Sequence, residues 1–349
     1  MPTRFKGVIL AGVHQWVDSG LGRLIPRPLV PVVDRPLIEH VVTWIQGAGV
    51  TKATVCANSD TSTIRRSLGD GAPHAIAIDY CEDYMPRGPA GCVKDAAAST
   101  DVNYFVVVDA TVLPWSINLP AMLEAHVAAG VAMTVAVTRL GESSRPDNGH
   151  MIPAGVYIFS RRALDHVSAA GYQDIKESLI PKLYAAGERV VTHVIHGRVP
   201  RVACTSTYLS ACMWQLDHRL AQAPDGDRDY VRNGSALIHR TATVDPSVQL
   251  IGPVLVGPQT TVAAGAKIVG PTTVGPKCVV EEDVILCRSH VWEGARIESG
   301  SALDRCVVTF GATIPGETRQ SNRVFTSRRR ERRRHGRPLS HAETPASHA

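Results

Sequence analysis

Two glycine-bearing segments and one aspartate in the first half of the chain have residue types suited to binding an anionic ligand. Gly12 follows the apolar run Val8-Ile9-Leu10-Ala11, and a second segment reads Arg87-Gly88-Pro89-Ala90-Gly91. Glycine lets a ligand approach the backbone closely, so that N–H groups can donate to its oxygens. Asp109 follows the apolar run 104–108, where a carboxylate could hold a metal ion or cap the end of a strand.

Predicted strands and helices alternate over the first 220 residues and place these groups at strand ends. The apolar, β-rich runs are 7–11, 53–56, 76–80, 104–108 and 133–137, and the helical patterns are 36–47, 61–68, 90–99 and 119–129. This alternation predicts an α/β fold, with a mixed, mostly parallel Rossmann-like sheet covered by helices on both faces. In such folds ligands bind in the loops that follow the carboxyl ends of the strands.

The C-terminal part of the chain shows a six-residue repeat of aliphatic residues. The repeat runs through Ile238, Val244, Leu250, Val256, Val262, Ile268, Val274 and Val280, then Ile285, Val291, Ile297 and Leu303, then Val308 and Ile314. A period of six fits neither an α-helix nor a simple alternating strand, but it is typical of hexapeptide solenoids. The pattern resembles the left-handed parallel β-helix family and predicts four to five coils.

Composition and charge set the expected boundaries. We expect a first domain over 1–222, a linker over 223–235, a β-helix over 236–318 and a disordered tail over 319–349. The net charge is +5, and residues 326–349 carry seven Arg and two Glu, so the tail holds the whole excess. A neutral body argues against specific nucleic-acid binding. The basic tail could contact an anionic membrane or an acidic partner, or it could be a solvated appendage.

Two further features bear on location. The first apolar run is too short for a signal-peptide core or a membrane span, which predicts a cytoplasmic protein, with a peripheral place at the membrane open through the tail. The eight cysteines form no CxxC pair. We expect most of them to be small buried residues of a protein in a reducing compartment.

Several segments together resemble a known enzyme family. These are Leu10-Ala11-Gly12 followed by Pro26-Arg27-Pro28-Leu29-Val30-Pro31-Val32, then 36–40, 87–91, 154–159 and 174–181. In this order they are similar to the sugar-1-phosphate nucleotidyltransferases, or NDP-sugar pyrophosphorylases. The resemblance spans nearly the whole chain, because some members also carry a C-terminal hexapeptide solenoid. It implies the joining of a nucleoside triphosphate to a sugar-1-phosphate with release of pyrophosphate.

The resemblance also implies roles for individual residues. Nucleotide binding falls to Leu10, Ala11, Gly12, Asp83, Gly88, Ala90 and Gly91, and sugar binding to Ala154 and Gly155. Arg27 takes the place of a family lysine, and Arg23 that of the triphosphate-binding arginine in a gapped alignment. Asp109 is the candidate ligand of a catalytic Mg²⁺. On residue type alone, Asp83 could instead be a solvated surface residue, and the segment 87–91 a glycine turn that starts a helix.

The same comparison shows departures from the family pattern. In the ungapped first loop, Val13 and Gln15 replace glycines and Val17 replaces the arginine. Val202 replaces a second metal carboxylate, and the Glu-Lys pair of the sugar loop is missing before Ala154. We therefore predict a catalytically impaired homologue that binds a sugar nucleotide or NTP and acts as a regulatory or scaffolding subunit. It would assemble through the β-helix with itself or with a catalytic paralogue.

An alternative stays open at this point. The chain could be an active, Mg²⁺-dependent nucleotidyltransferase that uses the displaced set Arg23, Arg27 and Asp109. A third possibility is a purely structural assembly protein that binds no ligand.

Overall fold

The fold is seen in a computed structural model, which describes residues 4–12, 16, 19–22, 24–58, 60–82, 87–139, 151–222 and 228–327. Arg23, Asp83 and the basic run 328–337 lie outside the described residues. The chain divides into two compact units, Met1–Gln215 and Leu216–Ala349. The helix at the border, Thr205–Gln222, contributes to both.

The first unit is an α/β domain. Its strands are β1 (Phe5–Leu10), β2 (Pro31–Val32), β3 (Arg35–Pro36), β4 (Lys52–Ala57), β5 (Ala77–Glu82), β6 (Tyr104–Asp109), β7 (Met133–Arg139), β8 (Met151–Ser160) and β9 (Val190–Val194). Its helices are α1 (Ser19–Gly22), α2 (Leu37–Gly47), α3 (Thr61–Leu68), α4 (Gly88–Ala98), α5 (Leu119–Ala129), α6 (Ile180–Ala185) and α7 (Thr205–Gln222). Three 3₁₀ turns, Arg27–Leu29, Ala72–His74 and Arg161–His166, and a π-helical turn, Ile175–Leu179, complete it.

Seven strands form one mixed sheet in the order β5-β4-β1-β6-β8-β7-β9. The strands β5, β4, β1 and β6 are mutually parallel, whereas β8 runs antiparallel to both β6 and β7. Apolar residues on the two faces pack into two separate core clusters, as a sheet covered on both sides requires. The predicted mixed, mostly parallel sheet and its alternating helices are confirmed. The carboxyl ends of the four parallel strands meet at one edge, where the candidate residues lie.

The second unit is a three-sided β-helix. After β10 (Tyr230–Asn233), its short strands are β11 (Ala236–His239), β12 (Thr243–Val244), β13 (Gln249–Ile251), β14 (Val254–Val256), β15 (Thr261–Val262), β16 (Lys267–Val269), β17 (Thr272–Val274), β18 (Val279–Val280), β19 (Ile285–Cys287), β20 (His290–Val291), β21 (Arg296–Ile297), β22 (Ala302–Asp304), β23 (Val307–Val308), β24 (Thr313–Ile314), β25 (Arg319–Ser321) and β26 (Val324–Phe325). Every third strand from β11 onward pairs in parallel, which gives three sheets. Two of these sheets have five strands each, so the expected four to five coils are confirmed.

The interior of the β-helix follows the six-residue repeat, with one correction. Val256, Val262 and Ile268 are fully enclosed, as the repeat predicts. At the first slip, however, Leu286 is buried and pairs beside Ile268, whereas Ile285 is 39% exposed. The prediction that Ile285 points inward is therefore wrong by one residue. The run Val284–Cys287 is apolar throughout, so composition alone does not reveal which residue faces inward.

Strand pairing in the second unit extends past the expected boundaries. It begins at Tyr230, inside the segment expected to be a linker, and continues to Phe325, beyond the expected end at 318. Both extensions satisfy backbone groups that the terminal coil would otherwise expose. Within the described ranges, none of the helices combines the length and the apolar character that a membrane crossing requires.

Candidate functional site

The carboxyl ends of β1 and β6 bring two predicted site segments side by side. Leu10 pairs with Asp109 across these parallel strands, and the Ala110 N–H donates to the Leu10 carbonyl at 3.0 Å. The Ala11 N–H donates to the Cys56 carbonyl at 2.8 Å, which fixes the start of the following loop. A Cβ built on Gly12 would meet none of the described residues within 4 Å.

Both carboxylate oxygens of Asp109 are engaged inside the protein. Oδ1 accepts hydrogen bonds from the Thr111 N–H at 2.9 Å and from the Thr111 hydroxyl at 2.7 Å. Oδ2 forms an ion pair and a hydrogen bond with the guanidinium of Arg201. The side chain of Asp109 is only 12% exposed, so solvent does little to weaken its bonds to Thr111, whereas the 40% exposure of Arg201 lets solvent screen the ion pair.

Arg201 reaches Asp109 from a segment that lies beside the end of β6. Leu113 N–H donates to the Pro200 carbonyl, and Val202 N–H donates to the Thr111 carbonyl, both at 2.9 Å. The Arg201 side chain remains 40% exposed while its guanidinium is paired with Asp109. The side chain is therefore both anchored and in contact with solvent.

Gly155 makes room for that arginine. Its φ is +83°, and a Cβ added there would lie 2.5 Å from Arg201 Nη2 and 3.2 Å from the Asp109 Cβ. A positive φ and this close approach both favour glycine. The predicted sugar-site residue Gly155 thus lies directly against the Arg201–Asp109 pair, with Ala154 buried next to it in β8.

Arg27 adds a second cation to this region. It begins a 3₁₀ turn next to Pro28 and is 7% exposed, with its guanidinium 5.4 Å from the centre of the Trp16 ring. Burial lowers the pKa of Arg27, the negative charge of Asp109 opposes that lowering, and the positive charge of Arg201 adds to it. Arg27 therefore lies within electrostatic reach of both members of the pair.

Two neighbouring groups complete the cluster. Burial raises the pKa of Tyr157 to about 12, and the charges of Arg201 and Asp109 act on it in opposite directions. Cys204 follows Arg201 closely in sequence and also acts on Arg27. Hydrogen bonds with the hydroxyls of Ser206, at 3.1 Å, and Thr207, at 3.5 Å, lower the pKa of the Cys204 thiol.

The second glycine segment lies at a different place on the same edge of the sheet. It starts α4 after β5, the strand at the sheet border, which two strands separate from β6. The Ala90 N–H donates to the Gln173 carbonyl at 3.0 Å, and the Gln173 N–H donates to the Arg87 carbonyl at 2.7 Å. Gly88 has φ +74°, and a Cβ there would lie 2.6 Å from the Gln173 carbonyl oxygen. This turn is therefore fastened to the segment around Gln173, and the Ala90 N–H is already used.

The predicted residues thus fall into three groups. Leu10, Ala11, Gly12, Arg27, Asp109, Ala154 and Gly155 lie around one cluster at the ends of β1, β6 and β8. Gly88, Ala90 and Gly91 form the separate turn, with Gly91 buried against Arg87. Arg23 and Asp83 lie outside the described residues.

Arg201 is the functional candidate that sequence reasoning missed. The stretch 200–205 attracts notice for Val202, which stands where the resemblance places a carboxylate. Val202 is indeed at the cluster, fully buried and bonded to Thr111, but its neighbour supplies the charge. The sequence signal that could have identified it is an arginine directly before Val202, the residue that replaces the family carboxylate.

The residues present do not fit a catalytic Mg²⁺ in the arrangement observed. Magnesium needs free oxygen ligands in near-octahedral geometry, commonly one or two carboxylates together with substrate phosphates. Both carboxylate oxygens of Asp109 already accept hydrogen bonds, Oδ1 from Thr111 and Oδ2 from Arg201. Over the part of the chain that the structure describes, no three His, Cys, Asp or Glu side chains converge as metal ligands would.

Comparison with known proteins agrees with this architecture. Residues 6–153 match the nucleotidyl transferase family model. The chain is 24% identical over 263 residues to mannose-1-phosphate guanylyltransferase of Mycobacterium tuberculosis, which covers 66% of this chain and 69% of that protein. It is 23% identical over 338 residues to mannose-1-phosphate guanylyltransferase 1 of Arabidopsis thaliana, covering 88% of this chain and 87% of the relative.

A solved structure shows the same fold for the first unit. HddC from Yersinia pseudotuberculosis, complexed with GMP-PN, superposes with a TM-score of 0.50 at 16% identity and covers 59% of this chain and 97% of its own. The sheet, the site at the strand ends and the matches in sequence point the same way. Residues 6–153 therefore match the nucleotidyl transferase family, the chain as a whole is similar in sequence to mannose-1-phosphate guanylyltransferases, and a β-helix follows the first unit.

Proposed function

We propose that this protein binds a sugar nucleotide, GDP-mannose being the first to test, and does not efficiently form it from GTP and mannose-1-phosphate. The observation that carries the proposal is the set of hydrogen bonds that Asp109 accepts. Its Oδ1 accepts two from Thr111, and its Oδ2 accepts one from Arg201. The choice of guanine and mannose rests on the names of the two relatives, which are mannose-1-phosphate guanylyltransferases.

The chemistry of pyrophosphate release explains why Asp109 matters. The sugar phosphate attacks the α-phosphorus in line, and negative charge accumulates on the departing pyrophosphate. A carboxylate-held metal ion would neutralise that charge. Releasing Asp109 for this purpose requires breaking its ion pair and its bonds to Thr111. Losing one such electrostatic group typically lowers the rate about 10²- to 10³-fold.

Binding, in contrast, needs only the groups that are in place. The backbone at Gly12, the partly exposed side chain of Arg201 and the buried charge of Arg27 provide donors and positive potential at the strand ends. A diphosphate can use these groups without any bond being made or broken. This separation of binding from turnover is what a regulatory or scaffolding subunit requires.

The proposal extends to assembly and location. We assign association with another copy or with a catalytic paralogue to the β-helix, since stacked repeats present an extended surface that suits binding. We place the protein in the cytoplasm, and the basic tail would set any contact with an anionic membrane or acidic partner. Deleting residues 326–349 should leave GDP-mannose binding unchanged, as measured by calorimetry; a loss of binding would contradict this division of labour.

A second candidate function is an active transferase with a displaced residue set. The convergence of Arg27 and Asp109, two of its three proposed members, favours it. It requires Asp109 to leave Arg201 when a metal and GTP arrive. Its signature would be Mg²⁺-dependent pyrophosphate release that the Asp109→Asn variant lacks.

The deciding experiment is a turnover assay on the purified full-length protein. Pyrophosphate release is followed with Mg²⁺, GTP and mannose-1-phosphate, then with the other common NTPs and sugar phosphates. An active mannose-1-phosphate guanylyltransferase serves as the positive control. We expect no release above background together with measurable GDP-mannose binding. Robust turnover would refute the proposal, and absence of any nucleotide binding would favour a purely structural protein.

A further inference from the structure

We propose that Arg201 takes the place of a divalent cation beside Asp109, so that this protein binds the diphosphate of a sugar nucleotide without a metal ion. The inference rests on the proposed function, because it specifies how the same site holds its ligand. Arg201 would contact the phosphate oxygens, and Arg27 would support it from behind as a second positive charge.

The balance of charge at the cluster supports an anionic ligand. Two guanidinium groups, Arg27 and Arg201, act on each other and on one carboxylate, Asp109. Arginine keeps its charge in proteins, so these three described side chains together carry one net positive charge. A bound diphosphate would reduce the repulsion between the two arginines.

Access to the cluster points to Arg201 as the contact residue. Its side chain is 40% exposed, whereas that of Asp109 is 12% exposed. A ligand that approaches from solvent can therefore reach the guanidinium without displacing the carboxylate. The planar guanidinium donates in parallel to two oxygens, a geometry that suits phosphate.

The surroundings hold the guanidinium in this position. The ion pair with Asp109 fixes one side, and the missing side chain of Gly155 leaves the space that Arg201 Nη2 occupies. Thr111 in turn orients the carboxylate through two hydrogen bonds. Because the guanidinium is already held in place, it loses little conformational freedom when the ligand binds. In this respect it resembles a bound metal ion.

The experiment measures GDP-mannose binding calorimetrically, with the full-length protein, in EDTA and then in excess Mg²⁺. We expect the same affinity in both buffers. Arg201→Ala should weaken binding in EDTA about 10- to 100-fold, the usual effect of losing a charge-assisted bond to phosphate. Arg201→Lys should fall between, since it keeps the charge but loses the paired donors.

A matched control exists within the same unit. Arg162 pairs with Glu188 at 3.0 Å, and its side chain is 46% exposed, close to the exposure of Arg201. Arg162→Ala should leave GDP-mannose affinity unchanged. Thermal unfolding of each variant verifies that the fold persists, and Arg201→Lys provides the milder substitution if Arg201→Ala is unstable.

A metal-rescue measurement separates a metal substitute from an ordinary binding residue. In Arg201→Ala the Asp109 carboxylate is freed, and one carboxylate together with ligand phosphates is a usual Mg²⁺ or Mn²⁺ site. Binding to this variant should therefore recover when Mn²⁺ is added, with a matching signal in electron paramagnetic resonance. A failure of Mn²⁺ to restore binding would overturn the assignment.

The remaining outcomes distinguish this inference from the proposed function. If the wild-type protein binds GDP-mannose only when Mg²⁺ is present, the metal-free site is refuted while binding without turnover stands. If Arg201→Ala binds as tightly as wild type in EDTA, the role of Arg201 is refuted. If no nucleotide binds under either condition, the proposed function fails and the inference fails with it.

Discussion

Replacing Asp109 by asparagine should strengthen the binding of GDP-mannose. Asparagine keeps the shape of the side chain, and its amide oxygen can still accept the two hydrogen bonds from Thr111. Its NH₂ group takes the place of Oδ2 and cannot accept the hydrogen bond from Arg201. The change removes the negative charge that now offsets Arg201 and Arg27. In a metal-dependent transferase the same substitution would weaken binding and abolish turnover, because the carboxylate would be a ligand of the metal.

The size of the effect follows from the geometry of the pair. With Arg201 between them, Asp109 and a bound phosphate would be about 7 Å apart, and one unit-charge pair at that distance is worth about 0.6–2.4 kcal/mol for effective dielectric constants between about 80 and 20. Arg201 is partly exposed, and the substitution also removes the anchor that holds its guanidinium, so we take a value near the lower end, about 1 kcal/mol. That corresponds to roughly five-fold tighter binding.

Calorimetric titration in EDTA at low and moderate salt measures this effect. The gain should shrink as salt rises, because it is electrostatic. Glu188→Gln is the matched control, since Glu188 pairs with Arg162 at 3.0 Å away from the cluster. This control should leave the affinity unchanged.

Stability should move in the opposite direction to affinity. Loss of the ion pair to the largely buried Asp109 should lower the free energy of unfolding by about 1–2 kcal/mol, which we discount from the range for fully buried pairs because Arg201 is partly exposed. Weaker binding by Asp109→Asn, in a variant shown to be folded, would refute the view that Asp109 and Arg201 form a metal-free anion site.

Three further substitutions or reactions test other parts of the structure. Gly155→Ala should lower the free energy of unfolding by about 1–3 kcal/mol and weaken GDP-mannose binding. The reason is that φ is +83° and the new methyl group would lie 2.5 Å from Arg201 Nη2. An unchanged melting temperature and an unchanged affinity would contradict this. Iodoacetamide should alkylate Cys204 fastest among the cysteines, and its rate should rise at lower pH than for a free thiol, because its pKa is lowered. Peptide mass spectrometry across pH measures this rate, and an ordinary thiol profile would count against it. In denaturant unfolding, Leu286→Ala should lower the free energy of unfolding by about 2–4 kcal/mol and Ile285→Ala by less than about 1 kcal/mol. The difference follows because Leu286 is fully buried and Ile285 is 39% exposed. Equal losses of stability would contradict the observed register.

Much of the fold could be predicted from local patterns. The helix predicted over 36–47 is present as Leu37–Gly47, and the strand predicted over 104–108 is present as Tyr104–Asp109. Short-range periodicity determines such elements, because each must bury one face against the sheet. The hexapeptide repeat is equally local, and it failed only at Ile285, where the neighbouring residue is also aliphatic.

The candidate site was less accessible to the same reasoning. Asp109 at a strand end was identified, but its partner Arg201 lies far along the chain in a segment without regular structure. No local pattern encodes a contact of that kind. The hydrogen bonds between the Arg87–Gly91 turn and Gln173 are similarly non-local, and one of them engages the N–H group of Ala90, a residue that the resemblance assigns to nucleotide binding.

A single-turnover experiment tests the proposed separation of binding from catalysis most directly. Full-length protein in excess over radiolabelled GTP is mixed with saturating mannose-1-phosphate and Mg²⁺, then quenched over times from seconds to an hour. Because product release does not limit such a reaction, the rate of GDP-mannose formation reports the chemical step itself. With Asp109 held by Arg201, we expect no GDP-mannose above the level of a protein-free control. Conversion of the bound GTP to GDP-mannose within seconds would contradict that expectation.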